Sequence, residues 1–192
     1  MKPLSRSIAI GVWVLLTLLM VTTRFKHFGD ALHLPDASMA VFFLGGLYLR
    51  RHAVFVFFVL LAVLLDYLSI HYAGVSDFCV TAAYAFLPLA YAALWYGGRL
   101  YTRELTDSMR SLLGAFVVAT VCAALSFAIS NGSFYWLGGR YAQPHMAEYL
   151  QRLWQWGPLF VRTTCGYVVV ALLLHAGLQR LIHREATAQV RA

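Results

Sequence analysis

Apolar residues gather into six runs along this chain, about Ile8–Thr22, Ala37–Leu49, Ala53–Ile70, Phe78–Tyr96, Ser111–Ile129 and Pro158–Leu181, with polar or aromatic connections between them. Roughly 20 apolar residues carry a helix across a bilayer, so the pattern predicts an all-α membrane protein of six transmembrane helices. The links are short, and residues 1–192 form one bundle with no separate soluble domain. The second run is short and interrupted by Gly45-Gly46, and the fourth carries Pro88. Such breaks either shape a helix around a ligand or mark close packing between helices. The longest connection, Asn131–Gly157, is rich in Tyr, Trp and Gly. It contains a predicted amphipathic helix, His145–Trp154, with Met146, Tyr149, Leu150 and Leu153 on one face. It reads as an interfacial aromatic belt or as a lid over an outward pocket, and its length favours the lid.

Composition agrees with the pattern. Of 192 residues, 61% are hydrophobic and only 12% charged, more apolar surface than a soluble domain of this size buries. The net charge of +7 does not point to nucleic acid, because the basic residues sit mostly at the ends of apolar runs. Lys2, Arg6, Arg50, Arg51, Arg99, Arg103, Arg110, Arg180, Arg184 and Arg191 fall on one side; Arg24, Lys26, Arg140, Arg152 and Arg162 fall on the other. Ten against five predicts that both termini are cytoplasmic. The outward parts are then Arg24–Pro35, His71–Asp77 and Asn131–Gly157. No small-x-small cleavage site follows the first run, which is therefore expected to stay as a helix.

Few residues carry chemistry. Asp66 lies inside the third run about one turn from its outer end, where a bare carboxylate costs several kcal/mol unless it is paired or faces water. It reads either as a snorkelling or protonated group or as a contact in a polar cavity, with Arg152 and Arg162 as candidate partners. Cys79, at the start of the fourth run, is a packing residue or a thiol activated in the first turn of a helix. Tyr84 follows one to two turns deeper. Cys122 reads as core and Cys165 is open. The three cysteines have no CxxC spacing, which argues against a disulfide framework and a zinc site. His27, His33, His71 and His145 share the outer side without HxxxH or HxH spacing, and read as solvated loop residues. The sequence also has no Gly-x4-Gly-Lys-Ser/Thr loop to power transport through a nucleotide.

The blocks LPDASMAVFFLGGLYLRR (34–51), DYLSIHYAGVSDFCVTAAYAFLPLAYAALWYGG (66–98) and SNGSFYWLGGRY (130–141) resemble the BtuM family. Its members are the cobalamin-specific substrate-binding components, or S-components, of energy-coupling-factor (ECF) transporters. The likeness extends over essentially the whole chain. Its most specific part is Asp66, Cys79 and Tyr84 together with Arg152. The resemblance implies an S-component bundle of six helices with a cavity opening outward. It further implies a corrinoid substrate, with Cys79 as an axial ligand to its cobalt and Asp66, Tyr84 and Arg152 lining the cavity. The implied partners are cobalamin, the bilayer and an energising module of a transmembrane coupling subunit and ATPases. S-components that share such a module often carry Ala-x3-Ala on the first helix; here the region reads Ser5-x3-Ala9-x3-Trp13 and Ser7-x3-Gly11. A thiolate on cobalt donates electron density, so thiolate-assisted loss of cyanide from cyanocobalamin is a further expectation. Competing readings are an intramembrane enzyme using Asp66 and a histidine on a lipid-like substrate, and a structural or assembly subunit. The enzyme lacks an acid and base spaced for one helix face.

Overall fold

Ser5 starts the first helix, its Oγ accepting from the Ile8 N–H at 3.4 Å as a serine N-cap does. In the computed structural model, residues 4–25 and 34–191 are described, with side chains as far as 181; Lys26, His27 and His33 lie outside the described residues. The described helices are α1 (Arg6–Arg24), α2 (Ser38–Tyr48), α3 (His52–Tyr72), a 3-10 turn (Ala82–Phe86), α4 (Leu87–Tyr101), α5 (Met109–Leu137) and α6 (Met146–Arg191). Four of them, α1, α3, α5 and α6 as far as Leu181, are long and apolar enough to cross a membrane. Leu15, Leu60, Val121 and Leu173 leave more than half of their surface exposed on these four helices. In water that exposure would be unfavourable; against acyl chains it is the expected outer face.

The second and fourth runs differ from the expectation of full-length spans. α2 has 11 residues and reaches about 17 Å, against a hydrocarbon thickness of about 30 Å. Nine of its residues are buried, because a helix apolar all round is covered on every side by its neighbours. The fourth run divides: the 3-10 turn comes first, and Pro88 stands in the opening turn of α4, where its missing N–H leaves no helical bond unmade. The Gly45-Gly46 break is a packing contact. A Cβ on Gly46 would lie 1.9 Å from the Trp95 carbonyl oxygen, and one on Gly98 would lie 2.2 Å from that of Phe43. Backbone therefore meets backbone where α2 crosses α4. Phe42 stacks on Tyr91 at 3.9 Å in the same crossing.

The expected long connection before the last helix is mostly helix. α5 continues to Leu137 and α6 begins at Met146, so eight residues remain between them, not 27. Tyr135 ties the two ends together. Its hydroxyl donates to Glu148 Oε2 at 2.8 Å and accepts from the His145 N–H at 2.8 Å. The proposed amphipathic face divides too: Met146 and Leu150 are exposed, whereas the Tyr149 hydroxyl donates to the Ala128 carbonyl at 3.2 Å. The segment is thus mostly helical, and its second part is continuous with the last helix. At the opposite end of the bundle Leu4, before α1, and Gln179 of α6 flank one groove.

Candidate functional site

The C-terminal parts of α1, α3 and α5 and the N-terminal part of α6 surround a cavity of about 440 Å³, closed on its remaining side by the loop and 3-10 turn before α4. Asp66, Cys79, Tyr84 and Arg152 all line it, although 86 residues separate the first from the last. Arg152, Trp156 and Phe160 recur every four residues along α6 and give the cavity one wall. A smaller cavity of about 240 Å³ adjoins it, sharing Leu87, Phe127, Ser130 and Phe160. The main volume lies within the range of small-molecule sites, about 300–1,000 Å³.

Asp66 is paired with Arg24, and neither Arg152 nor Arg162 is its partner. Arg24 Nε donates to Asp66 Oδ1 and Nη2 to Oδ2, both at 2.7 Å, the two-pronged geometry in which a guanidinium holds a carboxylate most firmly. Arg162 is exposed. The Tyr84 hydroxyl donates to the same Oδ2 at 2.6 Å. Arg24 Nη1 reaches Ser38 Oγ at 2.9 Å, the Tyr91 hydroxyl at 2.9 Å and Asp36 Oδ2 at 3.2 Å. One cation thereby fastens the end of α1 to the starts of α2 and α4 and to the end of α3. Its side chain is 11% exposed, that of Asp66 26%, so the pair satisfies itself without a ligand. Sequence reasoning passed over Arg24, counting it only as a basic residue of an outer loop.

Cys79 does not stand in the first turn of a helix. It lies in an irregular turn three residues before the 3-10 segment, so no helix dipole acts on its thiol. It is exposed at the edge of the cavity. Arg140 anchors this turn, donating from Nε to the Phe78 carbonyl at 3.2 Å and lying 4.9 Å from the centre of the Phe78 ring. The other two cysteines are elsewhere: Cys122 is buried against Gly97 on α4, and Cys165 contacts Thr120 Oγ1 at 3.2 Å.

Two polar atoms of the cavity residues are buried without a hydrogen-bond partner, Arg152 Nε and Asn131 Oδ1. The Arg152 guanidinium packs against aromatic faces, 4.8 Å from the Tyr141 ring centre and 5.9 Å from that of Tyr135, a stabilising arrangement for a cation. A buried donor and a buried acceptor left unpaired each cost stability, and a ligand that supplies both complements relieves that cost. Asn131 was not among the residues expected to form the site. No histidine lines the cavity, and no group of three or more His, Cys, Asp or Glu residues comes together among the described residues. The cavity therefore offers one thiol, one unpaired guanidinium, one amide and an aromatic wall. No protein-family model matches the chain, and no curated protein matches it either.

Proposed function

We propose that this chain is the cobalamin-binding component of a vitamin uptake system in the cytoplasmic membrane, of the S-component type. The observation that carries the reading is that Asp66, Cys79, Tyr84 and Arg152, singled out by resemblance to that family, line a single outer cavity. In this reading the chain crosses the bilayer six times with both termini inside. The short helices α2 and α4 suffice because the cavity occupies the outer part of the bundle above them.

The corrinoid presents cobalt to Cys79, whose sulfur is a soft, polarizable donor at the cavity edge. A corrinoid is larger than the cavity, so its ring lies across the mouth and part of its amide-bearing periphery enters. Amide groups carry both the acceptor that Arg152 Nε needs and the donor that Asn131 Oδ1 needs. Asp66 and Tyr84 act one step back: through Arg24 they fix the floor on which the ligand rests. With cyanocobalamin, formation of the S–Co bond accompanies cleavage of the Co–C bond. Cyanide leaves with the electron pair of the broken bond and takes up the thiol proton as hydrogen cyanide. Cobalt remains Co(III), so the exchange needs no oxidant or reductant. Inward release is assigned to an ECF energising module, a coupling subunit with ATPases. Ser5 is used as an N-cap and Trp13 packs on Phe57 of α3 at 5.1 Å, so a docking face on α1 would lie on the side of Ser7 and Gly11, one turn apart and both exposed.

Purification from cells supplied with cobalamin tests the binding claim. A corrinoid spectrum that stays with the protein through gel filtration, at about one equivalent, is the expected result. A colourless protein that also fails to bind added cobalamin would instead leave the enzyme or assembly readings.

A further inference from the structure

The end of the bundle away from Asp66 carries a second cavity of different character. Arg6 stands in the first turn of α1, and Arg50 and Arg51 belong to the short link between α2 and α3. All three line a space of about 770 Å³ whose other walls include Ile10, Trp13 and Val54. No acidic residue lines it, and among the described residues no carboxylate lies within ion-pair distance of these guanidiniums. Tyr48 lines the same cavity, and its hydroxyl is buried without a hydrogen-bond partner. Arg50 holds a backbone φ of 60°, where glycine or asparagine would be at less strain. Three like charges around one cavity form a cradle for an anion, with no counter-charge to fill it among the described residues, and Tyr48 adds an unsatisfied hydroxyl.

The apolar walls narrow the class of anion. Ile10 and Trp13 belong to α1 and Val54 to α3, two of the helices long and apolar enough to cross a membrane. The arginines therefore ring the level at which those helices leave the hydrocarbon, with apolar surface below. An apolar groove on the other side of α1, formed by Ile8, Val12, Leu15 and Leu174, shares Leu4 and Tyr48 with the cavity. A charged rim continuous with apolar surface matches an amphiphile better than a free ion. We propose that this cavity binds one anionic phospholipid, its phosphate held by Arg6, Arg50 and Arg51 and by a hydrogen bond from Tyr48, its acyl chains lying along α1. The site is independent of the corrinoid reading.

The test is native mass spectrometry of the full-length protein in a neutral detergent, titrated with dioleoyl phosphatidylglycerol or dioleoyl phosphatidylcholine. One phosphatidylglycerol should be retained in preference to phosphatidylcholine. Arg6→Gln and Arg51→Gln, both at exposed positions, should each weaken that retention roughly fivefold, the effect of removing one basic contact at a membrane surface. Arg103→Gln, on the exposed turn after α4, should leave it unchanged. Equal retention of the two lipids, or equal weakening by Arg103→Gln and Arg6→Gln, would mean diffuse surface attraction and overturn the site. Complete displacement of the lipid by millimolar inorganic phosphate would overturn the lipid assignment, since acyl contacts would then contribute nothing.

Discussion

Five hydrogen bonds leave the Arg24 guanidinium, two of them to Asp66, and this pair separates residues satisfied within the protein from those, such as Arg152, whose polar atoms have no partner. Removing Arg24 leaves the Asp66 carboxylate with no cation and only the Tyr84 hydroxyl, and removing Asp66 leaves the largely buried Arg24 with Asp36 as its single counter-charge among the described residues. Asp66→Ala and Arg24→Ala should each destabilise the protein by on the order of 3 kcal/mol, the range for breaking such a pair. A thermal-unfolding midpoint in detergent measures this, and the double variant should lose much less than the sum of the two. Arg152 behaves differently, because its Nε is unpartnered. Arg152→Ala should weaken cobalamin-dependent growth several-fold while the amount of folded protein in the membrane stays the same. A fall in folded protein as large as that of Asp66→Ala would make Arg152 a structural residue. Asp66 was recognisable in the sequence as a carboxylate that needed a partner; Arg24 was not recognisable as that partner. The two lie 42 positions apart, and an arginine closing an apolar run looks the same whether it faces solvent or turns inward. The position of Cys79 was legible, but the helix assigned to it was not: an apolar run beginning at Phe78 carries no mark that its first residues form a turn.

At the scale of elements, the α2–α4 crossing holds the centre of the bundle, and its glycines are what allow it. Gly46→Ala and Gly98→Ala each place a methyl group inside contact distance of a backbone carbonyl, which no rotamer change can relieve. Overpacking costs typically about 1–3 kcal/mol where neighbours can shift, and backbone on both sides leaves little room to shift. Both variants should give markedly less monodisperse protein by size-exclusion chromatography, whereas Gly11→Ala, with nothing within 4 Å of the new methyl, should match the wild type. The Gly45-Gly46 pair was visible as a break in the second run, but whether it served a ligand or a neighbour depended on Trp95, which lies outside that run. The 131–157 segment misled in the opposite direction. Asn131-Gly132-Ser133 and a high aromatic content read as a loop, yet Tyr135 and Tyr149 use their hydroxyls to bind the two helices together. Their rings stack at 5.6 Å. Local propensity was overridden by contacts between helices.

Over the whole molecule, the alternation of apolar runs and the clustering of basic residues were legible because lipid imposes them on the sequence directly. The convergence of residues 66, 79, 84 and 152 on one cavity depends on packing and was reached through resemblance. The proposed topology predicts that, on a cysteine-free background, Ala142→Cys reacts with a membrane-impermeant thiol reagent in intact cells, and Glu104→Cys only after permeabilisation. Both positions are exposed, so burial does not obscure the outcome; labelling of Glu104→Cys in intact cells would reverse the orientation. The central claim, that the sulfur of Cys79 binds the cobalt of a corrinoid, is tested most directly by the visible absorption spectrum of purified protein mixed with cyanocobalamin. Wild type and Cys122→Ser should shift the corrin bands and release cyanide. Cys79→Ser should do neither, because a hydroxyl of similar size is a harder and far less acidic donor. A Cys79→Ser spectrum and cyanide release identical to the wild type would contradict the account.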